Sequence, residues 1–295
     1  MKRKILKVII LFFVMICLML ILAFTYLKTV DIESKEPVKI KPECEVSTRE
    51  FNGRKVFVLK PNNNVESNFT ILYTHGGSYV AKMTNSHWDF LKKVAMDTNS
   101  TIIVPDYPLT PKYTYKDVFN MVEPLYKEII KTVNVDKFIV MGDSAGGGLA
   151  LALEEKLSQD DIQMPFKTIL ISPWLDVRLQ NPKISEVQKL DKELNFESLK
   201  IAGIAYAGED GIDSYLVNPL IGDVSKLKNI TIFTGTYDIL NPDVWGLQEN
   251  AKNVNVEIQV KEYEKAGHIW IINHNSDSDL ENQAYNDLIE EINAN

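Results

Sequence analysis

The run Gly142-Asp143-Ser144-Ala145-Gly146 sets a serine between glycines two residues before and two after it, with apolar Lys137 to Met141 ahead and Leu149 to Leu153 behind. This spacing predicts a buried strand, a sharp turn and a helix, in which only glycine at the flanking positions lets the strand and helix backbones approach closely. The turn holds the Ser144 hydroxyl clear of the strand. The helix N-terminus behind it, with Ala145 as its leading amide, aims unpaired N–H groups at the place where an oxyanion would form. The chemistry this suits is nucleophilic attack on an acyl carbon, and such a serine needs a base.

The chain holds four histidines: His75, His87, His268 and His274. Ile230 to Thr234 reads as a strand followed by Gly235-Thr236-Tyr237-Asp238, and Val256 to Val260 as another followed by Tyr263 to His268. Asp238 and His268 therefore fall on loops after successive strands, in the order acid then base behind the serine. Two rivals stand beside them. Asp243 is the other acid, and Asn241-Pro242-Asp243 reads as helix-entry chemistry that Asp243 would cap. His274 is the other base, farther along in a polar stretch. A third segment, His75-Gly76-Gly77-Ser78-Tyr79, follows the apolar run Thr70 to Thr74. Its glycines leave backbone N–H groups free to turn toward a ligand, so Gly77 and Ser78 join Ala145 as candidate oxyanion donors, with His75 and Gly76 supporting the loop.

The elements that must position these residues are short apolar runs alternating with amphipathic ones. Strands are expected near Lys55 to Leu59, Thr70 to His75, Thr101 to Pro105, Lys137 to Met141, Lys167 to Ile171, Ile230 to Thr234 and Val256 to Val260. Helices are expected over Trp88 to Thr98, Lys116 to Thr132, Gly146 to Ser158, Asp243 to Asn253 and Leu280 to Ile292. This alternation implies an α/β fold, a mostly parallel central sheet covered by helices on both faces.

With these blocks in order, the chain resembles the hormone-sensitive-lipase-like branch of the α/β-hydrolase fold, a group of bacterial carboxylesterases and lipases with an HGGG-type loop and a GDSAGG elbow. The matching blocks are HGGSY at His75 to Tyr79, PDYPLTPKYTYKD at Pro105 to Asp117, GDSAGGGLAL at Gly142 to Leu151, SPWLD at Ser172 to Asp176, and GTYDILNPD and YEKAGHIW around Asp238 and His268. The resemblance implies Ser144 as nucleophile, His268 as base, Asp238 as acid, Gly77, Ser78 and Ala145 as oxyanion donors, and neither metal nor organic cofactor. Two positions depart from it. Ser78 stands where the third glycine of the loop is usual, and the usual Tyr-Arg-Leu-Ala-Pro reads Tyr107-Pro108-Leu109-Thr110-Pro111, so an arginine is lost. The resemblance also implies a cap in the interval 178–217, where Leu194, Phe196, Leu199, Ile201, Ile204 and Tyr206 either face the acyl site or pack down on the core. The implied activity is hydrolysis of short to medium acyl esters, of small-molecule or lipid type. Deacetylation of envelope glycans and amide hydrolysis on the same fold are the alternatives, and a non-catalytic binding role is a remoter one.

The N-terminus carries a separate signal. Lys2, Arg3, Lys4 and Lys7 precede Val8 to Leu27, twenty residues without a charge, enough at about 1.5 Å per residue to cross a hydrocarbon core of about 30 Å. This predicts a single transmembrane helix as an uncleaved signal anchor over residues 1–28, N-terminus cytoplasmic, with the catalytic domain outside the cytoplasm. A cleaved signal peptide and a secreted enzyme are the alternative. Residues 29–50, polar and holding Pro37 and Pro42, read as a tether or N-terminal lid ahead of a hydrolase domain over 51–295. The net charge of −8 includes +5 from residues 1–28, so the remainder carries −13, a surface that repels nucleic acid and anionic headgroups. Cys17 and Cys44 are the two cysteines, one inside the apolar stretch and one beyond it, so no disulfide is expected in the domain, and no His or Cys spacing suggests zinc.

Overall fold

The computed structural model describes residues 12–16, 19, 22, 25, 29–35, 44–272 and 278–294. Strand β1 (Cys44–Phe51) turns through Asn52 and Gly53, both at positive φ (49° and 73°), into β2 (Arg54–Pro61), with Phe51 opposite Arg54. An Asn-Gly pair at left-handed φ is the two-residue turn whose twist matches paired strands. Beyond it the chain alternates: β3 (Thr70–Thr74), helix α1 (Asn85–Thr98), β4 (Thr101–Pro105), α2 (Tyr115–Ile129), β5 (Phe138–Asp143), α3 (Ser144–Gln159) and β6 (Lys167–Ile171). The short α4 (Ile184–Val187) and α5 (Phe196–Ala207) intervene before β7 (Ile230–Gly235), α6 (Asn241–Asn253), β8 (Ile258–Tyr263) and α7 (Asp279–Asn293).

The strands form one sheet in the order β1-β2-β4-β3-β5-β6-β7-β8, antiparallel from β1 to β4 and parallel from there on. The expected α/β class with a mostly parallel sheet is therefore observed. Apolar side chains fill both faces: one core layer collects residues of α2, α3, α5 and α6, the other those of α1 and α7. Ser144, Asp238 and His268 follow β5, β7 and β8, so parallel strands deliver all three to the C-terminal edge of the sheet, where open α/β sheets present ligand sites.

The polar tether expected over 29–50 is corrected at both of its described ends. Cys44–Phe51 is an edge strand of the sheet, its largely exposed polar residues tolerated because one face meets water. Residues 29–35 lie on the domain: the Ser34 N–H donates to Asp106 Oδ1 at 2.8 Å, and Asp31 meets Arg54, Lys112 and the Tyr113 hydroxyl at 2.7, 3.0 and 2.7 Å. In the interval 178–217 the core-packing reading holds for part of the apolar set. On α5, Leu199 and Tyr206 are buried whereas Ile201 and Ile204 are 68% and 54% exposed, and Leu194 and Phe196 are half-buried against the core.

Most of Val8 to Leu27, including Cys17, lies outside the described residues, as does His274. Residues 12–16, 19, 22 and 25 are helical, and among the described residues no helix is long and apolar enough to cross a membrane.

Candidate active site

The elbow forms as its sequence dictates. A Cβ on Gly146 would lie 2.0 Å from the Thr74 carbonyl oxygen, and one on Gly142 would lie 2.5 Å from the Gly146 carbonyl oxygen, so neither position admits a side chain. Ser144, first residue of α3, is held at φ 50°, a left-handed conformation that costs a non-glycine residue about 1–2 kcal/mol and persists only where the surroundings over-determine it. The Thr74 hydroxyl donates to the Gly146 carbonyl at 2.7 Å, and the Ser144 carbonyl accepts the Trp174 N–H at 2.8 Å, which tie the turn to β3 and to the SPWLD segment.

Ser144, His268 and Asp238 form one hydrogen-bonded chain. The Ser144 hydroxyl lies 2.9 Å from His268 Nε2, and His268 Nδ1 lies 2.8 Å from Asp238 Oδ2. The carboxylate accepts at Nδ1, which assigns the remaining proton to Nδ1 and leaves Nε2 to accept from the serine. The second carboxylate oxygen, Asp238 Oδ1, accepts the Leu240 N–H at 2.9 Å. All three side chains are buried, with exposures of 3%, 4% and 0% for Ser144, His268 and Asp238. Burial pulls the His268 imidazole down, but the adjacent Asp238 carboxylate outweighs it, and its pKa is raised above the ordinary 6.5. The loops carrying acid and base are joined: the Tyr237 N–H donates to the Ala266 carbonyl and the Lys265 N–H to the Thr236 hydroxyl, at 3.0 and 2.8 Å.

The rivals fare differently. Asp243 is not the cap of α6; Leu240 occupies that position, and Asp243 sits inside the first turn because the helix begins earlier, at Asn241. Its Oδ1 accepts from Asn181 Nδ2 at 3.0 Å, away from His268, and burial pushes its pKa up to about 7. His75 is fully buried, donates from Nδ1 to the Gly76 carbonyl at 2.7 Å and stacks on Tyr107 with ring centroids 4.5 Å apart. Burial lowers its pKa to about 4, so it is neutral at pH 7.

The loop after β3 turns through three successive residues at positive φ: Gly77 at 115°, Ser78 at 53° and Tyr79 at 61°. The Gly77 carbonyl accepts the Val80 and Ala81 N–H groups, which points the Ser78 amide of the same peptide unit the opposite way. Among the described residues none of the Gly77, Ser78 and Ala145 amides donates a hydrogen bond. Gly76 donates its N–H to Asp143 Oδ1 at 2.8 Å, and a Cβ there would fall 2.1 Å from Asp143 Oδ2.

Sequence reasoning missed the network beneath this loop. Fully buried Asp143 accepts from the Tyr73 hydroxyl at 2.5 Å and from the Gly76 amide, and its Oδ2 lies 3.3 Å from His87 Nε2. The Thr84 N–H donates to His87 Nδ1 at 3.2 Å, so the ring proton belongs on Nε2, facing Asp143. Burial works to raise the Asp143 carboxyl, yet His87 and the two donors prevail and hold it below the ordinary value. Asp143 thus joins the elbow to the loop after β3. Its position next to Ser144 was the one available signal; nothing in the spacing of Tyr73 or His87 announced them. Also missed was Ser172, whose hydroxyl accepts the Ile269 N–H at 3.2 Å and steadies the residue after His268. Among the described residues no three His, Cys, Asp or Glu side chains come together in a metal-holding group.

The architecture and motifs have parallels. A family described as the α/β hydrolase fold matches residues 71–272. An esterase of Acinetobacter venetianus is 32% identical over 196 residues, 65% of this chain and 64% of that protein. An acetyl-hydrolase of Streptomyces hygroscopicus is 24% identical over 204 residues, 68% of each chain. The chain thus spans about two thirds of the length of both. Among solved structures, an esterase from the bacterial hormone-sensitive lipase family superposes with TM-score 0.79 at 21% identity, covering 86% of each chain. An esterase/lipase from an uncultured bacterium does so with TM-score 0.79 at 21% identity over 92% of this chain and 89% of that one. The resemblance read from the motif blocks is borne out.

Proposed function

Because this chain belongs to the α/β-hydrolase fold family, we propose that it is a serine carboxylesterase working through Ser144, His268 and Asp238. The observation that carries this reading is the continuous chain of hydrogen bonds, 2.9 and 2.8 Å, from the Ser144 hydroxyl through the imidazole to a buried carboxylate. In the reaction, Ser144 Oγ attacks the ester carbonyl carbon while its proton passes to His268 Nε2, and Asp238 stabilises the imidazolium. The former carbonyl oxygen becomes an oxyanion facing the amides of Gly77, Ser78 and Ala145, where one such donor is worth about 10²–10³ in kcat. Collapse expels the alcohol with the proton from His268 and leaves an acyl-enzyme; water repeats the sequence and frees the acid.

The esterase and acetyl-hydrolase named above support ester substrates, in the second an acetyl group, and we take the substrates to be short to medium acyl esters. The basic cluster Lys2 to Lys7 and the uncharged run after it support a signal anchor, with the catalytic domain outside the cytoplasm. The test is hydrolysis of p-nitrophenyl acetate, butyrate, octanoate and palmitate by the full chain in mild detergent beside its Ser144→Ala variant. Turnover that vanishes in the variant is expected, with an optimum among the shorter acyl groups. A folded protein inert toward all four, or equal rates with and without Ser144, overturns the reading. Alkaline extraction of membranes tests the anchor separately: the full chain is expected to stay with the lipid.

A further inference from the structure

Three consecutive left-handed residues cannot hold themselves in place, and the oxyanion loop reaches outside its own backbone for support. Ser78 and Tyr79 carry side chains at φ 53° and 61°, a region such residues leave unless packing compels them. The backbone ties are few: the Gly77 carbonyl accepts from Val80 and Ala81, and the Tyr79 carbonyl accepts the Thr110 N–H at 2.9 Å. The largest remaining restraint is the ring of Tyr79, 1% exposed and stacked with two aromatic rings. Trp174, from the segment bonded to the Ser144 carbonyl, lies 5.9 Å away at 26°. Tyr206, from α5, lies face to face with it, centroids 3.5 Å apart and planes within 3°.

We propose that Tyr206 is a positioning residue: helix α5, through this ring contact, holds Tyr79 and hence the Ser78 amide in the donor geometry of the oxyanion hole. The proposal deepens the esterase reading and rests on it for its kinetic consequence, but the contact itself makes a claim about loop order that needs no turnover to test. Two observations beyond the stack point the same way. Tyr115 also packs against Tyr206, centroids 6.4 Å apart and planes at 70°. Gly203, one turn earlier on α5, packs so closely that a Cβ there would lie 2.7 Å from Val177 Cβ, which seats the helix on the chain just beyond Trp174. The segment between β6 and β7 therefore reaches the loop after β3. Its helix is a wall of the loop that stabilises the transition state.

The experiment compares Tyr206→Ala, Tyr206→Leu and Tyr206→Phe with the wild-type full chain by hydrogen exchange and by kinetics. In Tyr206→Ala the amides of 75–83 are expected to exchange at least about tenfold faster while those of β5 and β6 keep their protection, and in Tyr206→Phe all should match wild type. Should Tyr206→Ala loosen the whole sheet, Tyr206→Leu, which retains bulk without a stacking face, gives the same comparison. Unchanged exchange of 75–83 in a folded Ala or Leu variant overturns the proposal. On p-nitrophenyl butyrate, kcat is expected to fall about 10- to 100-fold, up to the worth of one oxyanion donor, with KM within about threefold and the Phe variant restored. An aryl trifluoromethyl ketone reads the same geometry. Ser144 Oγ bonds its carbonyl carbon, the serine proton moves to His268, and the resulting oxyanion must find the hole. Its affinity should fall in step with kcat/KM, whereas that of the matching secondary alcohol stays put. A KM rise at constant kcat would assign Tyr206 to ground-state binding and overturn the proposal. Absence of Ser144-dependent turnover in the wild type overturns the esterase reading and leaves the exchange result to decide this one.

Discussion

The three buried side chains of the Ser144 chain are useful only together, and that sets how their variants should behave. Ser144→Ala and His268→Ala are expected to lower kcat by about 10³–10⁶, with the double variant little worse than either, since groups that act as a unit are not additive. Asp238→Asn should lose about 10⁴ by spoiling the imidazole tautomer, whereas Asp243→Asn should keep turnover within a few-fold, both measured on the butyrate ester. Asp243 also yields a stability prediction. Burial raises its pKa to about 7 from 3.8, so a folded-state penalty grows as pH climbs through that range and is complete above it. Asn at that position removes the penalty while still facing Asn181, and thermal melts at pH 8 should show a gain of about 1–3 kcal/mol that disappears below pH 4. For His268 the sign is the opposite in consequence. Its raised pKa means that the reactive neutral imidazole is lost as pH falls, so the acid limb of kcat/KM should lie above 6.5, and a limb at or below that value would contradict the coupling to Asp238.

At the level of elements, the two glycines of the elbow set how near strand and helix can come. Gly146→Ala would drive a methyl to within 2.0 Å of the Thr74 carbonyl, and separating β3 from α3 should cost at least about 1–3 kcal/mol, seen as a lower denaturation midpoint together with lost turnover. Elements whose residues face a single environment were legible from sequence: the buried parallel strands, such as β6, lie within a residue or two of where apolar runs placed them. Strand β1 was not legible, since its residues are mostly polar and water-facing, and the Asn52-Gly53 pair is the one local signal that could have found it. Helix α5 escaped for another reason. Ile201 and Ile204 face outward while Leu199 and Tyr206 face inward, so apolar residues surround it and the one-sided pattern that betrays a surface helix is missing. The site divides along the same line. Ser144, Asp238 and His268 stand in local motifs at strand ends, whereas Tyr73, His87, Asp143 and Tyr206 meet only once distant segments have folded together, and contacts of that kind leave no periodic trace.

For the whole molecule, the segment before the sheet is the part most altered by seeing it folded. Asp31 is drawn upward in pKa by burial, but hydrogen bonds from Tyr113, Lys112 and Arg54 prevail and lower it to about 2. Its contribution to stability is therefore present above its ordinary 3.8 and is lost as pH falls toward 2. Asp31→Asn should destabilise by about 1 kcal/mol at pH 6 and by nothing measurable near pH 2, with faster hydrogen exchange over 29–35. The residues that Asp31 and Ser34 grip, Asp106, Lys112 and Tyr113, follow the C-terminal end of β4, the same edge that carries Ser144. The approach to the domain is therefore moored and does not trail free: residues 29–35 lie along the same rim of the sheet as Ser144, so whatever pulls on them pulls first on the loop after β4.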